Sequence, residues 1–432
     1  MIPLRAYAGR RVSVFALTEA GLTAARALDA GGAQLTVWDS EPDRRDKAER
    51  LGLVVEDPTL RDWSDLSALV LGDPALLSEE PAPRLLDLAR ALEVPLLQAE
   101  TVLAQGYAEA DAGFIAGLGR QARPALHFAA HLLRQSGRAV TGPDPAASLR
   151  PPAPGAVILA AFETAPAMSV DGLCLVGGAA ATSSVPGDWA RLQGPMILDA
   201  DDPHTRRLSL SLGRRDGLIS ARSTLSRGVY VAAGRLFDAL DGRARLVLDL
   251  AAAPGLAVGP HRAIAAGYAL ARGMGVSFEA AREAALSYPG CPGYGAVVTR
   301  LGPLTITDWS SARDAAAAAQ ALAGPGVVVW LAGPSVDPAV SAMLKAVGQA
   351  PSAVVVTGDR RRARRKLAQC CPVQVERDPR AALALAVHAG LKAGADARLV
   401  YAPGGPCQED GAQWLEAALD GLVARAKYGD AA

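Results

Sequence analysis

The chain has 432 residues, half of them hydrophobic and a fifth charged, with 44 Lys and Arg balanced by 44 Asp and Glu. That length exceeds one hydrophobic core and predicts roughly two to four domains. A formal charge of zero argues against general nucleic-acid binding, which needs a basic face, and no uncharged apolar run reaches the roughly 18 residues of a membrane span. Met1 to Arg11 has no apolar signal core, so a soluble cytoplasmic protein without membrane insertion is expected. The five cysteines, Cys174, Cys291, Cys370, Cys371 and Cys407, are odd in number and lack zinc spacing, and read as reduced, mostly buried residues.

In chain order, Val12 to Leu17 is a buried-type strand, Gly21 to Ala30 an Ala-rich helix, and Ala33 to Asp39 a second strand ending in an acid. This is the opening of a nucleotide-binding Rossmann half, but Ala16, Thr18 and Gly21 take the three fingerprint glycine positions. Ala16 and Thr18 hinder close approach of a pyrophosphate. Asp39 either accepts hydrogen bonds from a ribose or base, or caps the turn Asp39-Ser-Glu-Pro42. Strands at Leu66 to Leu71 and Val94 to Leu97, with helices at Ala82 to Leu92 and Ala99 to Gln105, complete a first domain over 1–107.

The second block opens with the stretch around which the chain is organised, Gly113 to Pro124 and the helical run Ala125 to Ser136. A short apolar strand turns through Gly117 and Gly119 into Arg120 and then a helix, the outline of a phosphate-binding loop. Such a loop needs a Lys for the outer phosphates and a Ser or Thr hydroxyl for Mg²⁺; Arg120 and Gln121 stand in those places. An ordinary Gly turn between strand and helix is the other reading. His127 and His131 share a helix face, without an intervening Glu or an evident third ligand, so no metal site is expected. A Pro-rich connector follows, from Thr141 to Pro154. Strands are then expected at Ala156 to Ala160, Gly172 to Val176 and Pro195 into an acidic turn at Pro203. Shorter ones follow at Gly217 to Ser220, Gly228 to Ala232, Gly234 to Phe237 and Ala244 to Asp249. Helices run from His261 to Met274 and, N-capped by Ser277, to Leu286.

After the Gly/Pro hinge Tyr288 to Gly295, strands at Leu304 to Thr307, Val327 to Leu331, Ala353 to Thr357 and Ala397 to Tyr401 read as parallel. Helices are expected at Ala312 to Ala321, Pro338 to Gly348, Pro379 to Ala393 and Gly411 to Lys427, giving a doubly wound α/β domain. The basic run Arg360 to Lys366 reads as a solvated helix start, with an anion or partner site as the alternative.

Three α/β blocks in this order resemble the Mur ligases, the ATP-dependent amide ligases that build the stem peptide of bacterial cell wall. The type that adds D-glutamate to UDP-N-acetylmuramoyl-L-alanine is most similar. The stretches that carry the resemblance are Val12 to Asp39, the Gly loop with its helix, Ile197-Leu-Asp-Ala-Asp-Asp-Pro203, Gly259-Pro-His261 with its helix, and Thr305-Ile-Thr-Asp308. The resemblance implies a Rossmann-like N-terminal domain for the UDP-sugar (1–107), a P-loop-like central α/β ATPase domain (108–301) and a Rossmann-like C-terminal domain for the incoming amino acid (302–432). It also implies a mechanism: a carboxylate attacks the γ-phosphate, and the amine captures the acyl phosphate.

Carried across residue by residue, that site is incomplete. The loop Lys falls on Arg120 and its Ser/Thr on Gln121. The Mg²⁺-binding Glu falls among Ala160, Ala161 and Phe162, with Glu163 displaced, and the metal-binding His has no counterpart in Ala181 to Pro186. The carbamylated Lys is missing between Asp188 and Gly194. The adenine-side Asn pair falls on Arg262 and Ala265, beside a retained His261. The junction His-Arg pair falls on Gly293 and Tyr294. The motif Asp-Ser-Lys-Ala-Thr-Asn becomes Asp308 to Arg313, and Ser-Pro-Ala becomes Ala402-Pro-Gly404. Arg120, His261 and Asp308 are the vestigial catalytic candidates, and Gly117, Gly119, Arg120 and Gln121 the remnant of the nucleotide loop. Leu17, Thr18 and Asp39 are the candidates for holding a UDP-sugar.

The expectation is a non-catalytic Mur-ligase relative, a scaffold, regulator or precursor-binding protein in peptidoglycan synthesis. Its partners would be a UDP-N-acetylmuramoyl precursor or another cell-wall enzyme, and no cofactor is expected. The alternatives are an active ligase using ATP and Mg²⁺ through an unusual loop, or an unrelated Rossmann-type sugar-nucleotide binder.

Overall fold

A computed structural model describes residues 2–72, 82–108, 112–143, 155–162, 170–177, 192, 194–212, 217–257, 259–309, 326–331, 351–357, 365, 367, 368, 371–393, 397–402 and 419. The chain packs as two compact units, residues 1–218 with 269–277, and residues 219–268 with 278–432. The helices expected around 312–321, 338–348 and 411–427 and most of the basic run 360–366 lie outside the described residues.

In the first unit, β1 (Arg11–Phe15), β2 (Gln34–Trp38), β3 (Leu66–Leu71) and β4 (Leu96–Gln98) form a parallel sheet in the order β2-β1-β3-β4. Val12, Val14, Ala68 and Val70 are buried at its centre, as expected for strands covered on both faces. Leu28 of the helix Glu19–Ala30 and Val102 of the helix Ala99–Ala108 belong to the same core as Val12 and Val14. The hydroxyl of Thr18 caps the first of these helices by accepting from the Gly21 amide at 3.4 Å.

Two features depart from the sequence reading. The first strand stops at Phe15 rather than Leu17, because Ala16 takes a left-handed φ of 69°. A helix spans Pro42–Arg50 where none is expected from periodicity, since Ala48 is the residue it buries. What favours that helix is its ends: Pro42 at the first turn with Asp43, and Lys47 and Arg50 in the last turn, each matched to the helix dipole.

Farther along the first unit, β5 (Gly113–Leu118), β6 (Val140–Thr141), β7 (Val157–Phe162), β8 (Gly172–Leu175) and β9 (Met196–Asp199) run parallel in the order β6-β7-β5-β8-β9. The helix Ala122–Gln135 follows β5 and buries Leu126, Phe128, Leu132 and Leu133. The helix Pro203–Leu212 follows β9 and is capped by Asp202, whose carboxylate accepts from the amides of His204 (2.8 Å) and Thr205 (3.1 Å).

The second unit begins with β10 (Leu218–Ser220), β11 (Val229–Ala232), β12 (Arg235–Asp238) and β13 (Arg245–Asp249). Ile219 and Ser220 pair parallel with β11, and β11, β12 and β13 are antiparallel. Ala233 and Gly234 make the two-residue turn between β11 and β12 with φ of 49° and 71°, the handedness that matches strand twist.

Its last sheet runs β14 (Ala296–Leu301), β15 (Leu304–Asp308), β19 (Arg398–Ala402), β16 (Val327–Leu331), β17 (Ala353–Thr357) and β18 (Val373–Glu376). β14 is antiparallel and the other five are parallel. This sheet therefore takes its first strand from ahead of residue 302. Trp330 and Tyr401 pair across β16 and β19 with ring centroids 4.9 Å apart. They share a core with Ala382, Leu383 and Ala386 of the helix Pro379–Lys392.

The turn after β1 depends on two glycines. A Cβ on Gly72 would lie 1.7 Å from the Ala16 carbonyl oxygen, and one on Gly21 would lie 2.1 Å from it. Gly72→Ala is expected to cost about 1–3 kcal/mol or more through overpacking against backbone. Urea denaturation of the full chain measures this.

Candidate functional site

At the end of β5 the chain turns at Gly119 with φ 105°, and a Cβ there would lie 2.2 Å from the Val176 carbonyl oxygen. The Gln121 amide donates to that same oxygen at 3.3 Å, and the Ala122 amide donates to the Gly119 carbonyl at 3.0 Å. In a phosphate-binding loop such amides at a helix N-terminus face the anion. Here two of them are occupied by carbonyl oxygens of the chain itself. Gly117 serves packing: a Cβ would meet Leu126 Cδ1 at 2.7 Å. Arg120 is exposed at the tip, whereas Gln121 is 5% exposed beneath Gly177.

Asp199, at the end of β9, belongs to this constellation although the sequence singled out only its turn. Its carboxylate is 0% exposed and accepts from the Gly177 amide at 3.3 Å and the Asp201 amide at 2.9 Å. Gly177 and the Val176 carbonyl were also missed. The apolar run of β8 ending in Gly177 is the signal that could have marked them, because a strand closing on a glycine permits close backbone approach.

Mg²⁺ takes octahedral oxygen ligands. Among Arg120, Gln121, Ala160, Ala161 and Phe162, the one side-chain oxygen is the Gln121 amide, in a residue packed under Gly177. Ala160 and Phe162 are buried apolar residues at the end of β7. These five residues by themselves offer Mg²⁺ neither a carboxylate nor a hydroxyl. Glu163 and residues 181–186, 188–191 and 310–313 lie outside the described residues. Among the described residues no group of three or more His, Cys, Asp and Glu could hold a metal ion, and His127 and His131 are both half-buried on the helix Ala122–Gln135.

Leu17, Thr18 and Asp39 come together beyond the carboxyl ends of β1 and β2. Asp39 is 1% exposed; its Oδ2 accepts from the Leu17 amide at 2.6 Å and its Oδ1 from the Glu41 amide at 2.8 Å. Arg44 forms an ion pair with Oδ2 at 3.4 Å, and Arg45 donates to the Asp39 carbonyl at 2.7 Å while lying 4.6 Å above the Trp38 ring. Asp39 therefore accepts an amide from the end of β1 and one from the turn that follows β2. Thr18 donates to the Gly72 carbonyl at 2.9 Å, tying the end of β1 to the end of β3.

In the second unit His261 is the first residue of the helix His261–Gly273 and is half-buried, which pushes its pKa below the ordinary value and leaves a neutral imidazole at pH 7. Ala265, four residues on, is fully buried. Asp308 ends β15 at 1% exposure. Its Oδ2 accepts from the Gly293 amide at 2.8 Å, and its carbonyl accepts from the Gly295 amide at 2.7 Å. Both glycines are left-handed, with φ of 74° and 98°. Asp308 therefore braces the Gly/Pro turn.

Cys174, Cys291 and Cys371 are free thiols; Cys370 and Cys407 lie outside the described residues. Burial, with the nearby Asp199 carboxylate as the smaller cause, pushes the Cys174 thiol up to about 12. At pH 8 it stays protonated and inert toward alkylation. Brief iodoacetamide treatment of the native protein is expected to modify the half-buried Cys371 and to leave Cys174 unlabelled until urea is added. Peptide mass spectrometry reads both sites.

The chain matches no protein-family model. It is 32% identical over 375 residues to the UDP-N-acetylmuramoylalanine–D-glutamate ligase of Caulobacter sp. (strain K31), covering 77% of this chain and 78% of that one. It is 30% identical over 366 residues to the ligase of the same description from Agrobacterium fabrum, covering 77% and 76%. Among solved structures, the UDP-N-acetylmuramate-alanine ligase MurC of Thermotoga maritima superposes with a TM-score of 0.58 at 12% identity, covering 96% of this chain and 99% of that one. MurF of Acinetobacter baumannii gives 0.51 at 15% identity, covering 82% and 85%. The fold is the mixed α/β fold of these proteins. The alternative of an unrelated Rossmann-type binder is overturned by the extent of the sequence identity, and the chain belongs to the Mur ligase family, where it is MurD-like.

Proposed function

We propose that this Mur-family protein is non-catalytic and serves bacterial peptidoglycan synthesis as a precursor-binding scaffold or regulator. The observation that carries this reading is the Gly loop. It presents Arg120 and a buried Gln121 where phosphoryl transfer calls for a Lys and a hydroxyl, and the Gln121 amide is already taken by the Val176 carbonyl. Phosphoryl transfer is catalysed chiefly by positioning and charge neutralisation. Removal of one preorganised donor typically costs about two to three powers of ten in rate, and several are replaced here at once. Arg binds phosphate well through its planar fork, so Arg120 alone would not exclude a nucleotide; the altered surroundings of the loop weigh more.

The ligand of the first domain would be the uridine nucleotide of a UDP-N-acetylmuramoyl precursor, held near Leu17, Thr18 and Asp39. Support comes from the curated relatives, which are ligases named for UDP-N-acetylmuramoylalanine. A second cell-wall enzyme is the other proposed partner, and neither ATP nor Mg²⁺ is a required cofactor. The competing reading, an active amide ligase with an unusual loop, draws on the same identity to named ligases.

Calorimetry and thermal unfolding with Mg·ATP and with UDP-N-acetylmuramoyl-L-alanine separate the two. A ligand that binds only the native state raises the melting temperature. The expected result is stabilisation by the UDP precursor, none by Mg·ATP, and no ADP released in the presence of both with D-glutamate. Asp39→Asn should weaken precursor binding, and unchanged affinity would refute the assigned site. Tight Mg·ATP binding or ADP release would establish the ligase reading instead.

A further inference from the structure

We infer that the Gly loop is held shut from within the protein: the Val176 carbonyl, backed through its own peptide unit by the Asp199 carboxylate, takes the loop amide that a ligand phosphate would use at an open loop. The N–H of Gly177 and the C=O of Val176 belong to one planar peptide group. The N–H donates to Asp199 Oδ2 at 3.3 Å, and the C=O accepts from the Gln121 amide at 3.3 Å. The carboxylate is fully buried, and its other oxygen is fixed by the Asp201 amide at 2.9 Å. A peptide group hydrogen-bonded to a buried carboxylate at its N–H end is polarised, and its carbonyl becomes a stronger acceptor. That carbonyl meets the N-terminal turn of the helix Ala122–Gln135, where the helix dipole favours negative charge. Negative potential thus reaches the loop by relay, without a ligand.

Two glycines make the approach possible. Gly119 has φ 105°, and a Cβ there would overlap the Val176 carbonyl oxygen at 2.2 Å. Gly177 has φ 83°, and a Cβ there would sit 3.0 to 3.1 Å from Gln121 Cγ, Cβ and N. An incoming phosphate would have to break the Gln121 contact and would then lie near a buried like charge, which is unfavourable at low dielectric. The latch is therefore an autoinhibitory contact between the ends of β8 and β9 and the loop. It rests on the reading that the loop does not turn over nucleotide, but it makes a separate claim about which atoms close it.

Hydrogen exchange of the full-length protein, resolved at single amides, tests this directly. In the unaltered protein the Gln121 amide should be protected well above an unstructured peptide. In Asp199→Asn, which removes the charge, and in Gly177→Ala, which pushes the peptide away, it should exchange faster by on the order of tenfold. Amides of Leu126 to Leu133 in the helix interior should stay protected, which shows that the variants remain folded. Calorimetry with sodium tripolyphosphate should give no binding to the unaltered protein and measurable binding to Asp199→Asn. Rapid Gln121 exchange in the unaltered protein overturns the latch whether or not either variant folds. Unchanged Gln121 exchange in both folded variants overturns it too. Latch and function fail separately: ADP release would sink the function proposed above, while Gln121 exchange decides the latch.

Discussion

The constraint on which the structure turns is a backbone carbonyl pressed against glycine at the carboxyl end of a parallel strand. Parallel strands covered on both faces bring their polar ends together at one edge, and ligands of α/β proteins enter there. In the first sheet the Ala16 carbonyl is gripped by Gly21 and Gly72. In the sheet built on β5 the Val176 carbonyl is gripped by Gly119 and receives the Gln121 amide. Each contact is too close for any side chain at the glycine, so main chain packs on main chain at this edge.

Strand-end carboxylates secure these closures. Asp39, Asp199 and Asp308 each end or immediately follow a strand, each is almost fully buried, and each accepts main-chain amides: Leu17 and Glu41, Gly177 and Asp201, and Gly293, respectively. A buried carboxylate is tolerable when its oxygens are satisfied in this way. In sequence, however, an acid at the tip of a parallel strand also marks a ribose, metal or phosphate site. The residue type is the same in both cases, and the difference lies in which amides the returning chain brings within reach.

This explains how far the sequence could be read. Most strands and the helix after β5 were legible because apolar runs and Gly punctuation reflect burial and turn geometry directly, whereas β6, β14 and β18, short or only half-buried, were not expected. The helix Pro42–Arg50 was not, because its stabilisation lies in its ends and in Arg44 and Arg45 bonding to Asp39, with only Ala48 buried. Arg120 and Gln121 could be recognised from sequence as standing where a phosphate-binding loop carries a Lys and a hydroxyl. That Gln121 would be covered by Gly177, and that Asp199 would stand behind that peptide, depends on β5, β8 and β9 lying side by side, a non-local arrangement that no window of sequence contains.

Fold and chemistry therefore place separate demands on the same stretch. The glycines of the loop are required twice over in a phosphate-binding protein, for the turn and for access of the anion. Here the first demand is met by Gly119, and the Val176 carbonyl and Gly177 pack closely against the loop. A loop can keep its backbone shape, and a chain about 30% identity to ligases along most of its length, because packing of β5 on the helix Ala122–Gln135 rewards that shape independently of any ligand. What packing does not maintain is a Lys, a hydroxyl or a metal-binding carboxylate at the tip. Arg120 is exposed there and contributes little to the core, so the tip is free to change while the frame beneath it stays the same.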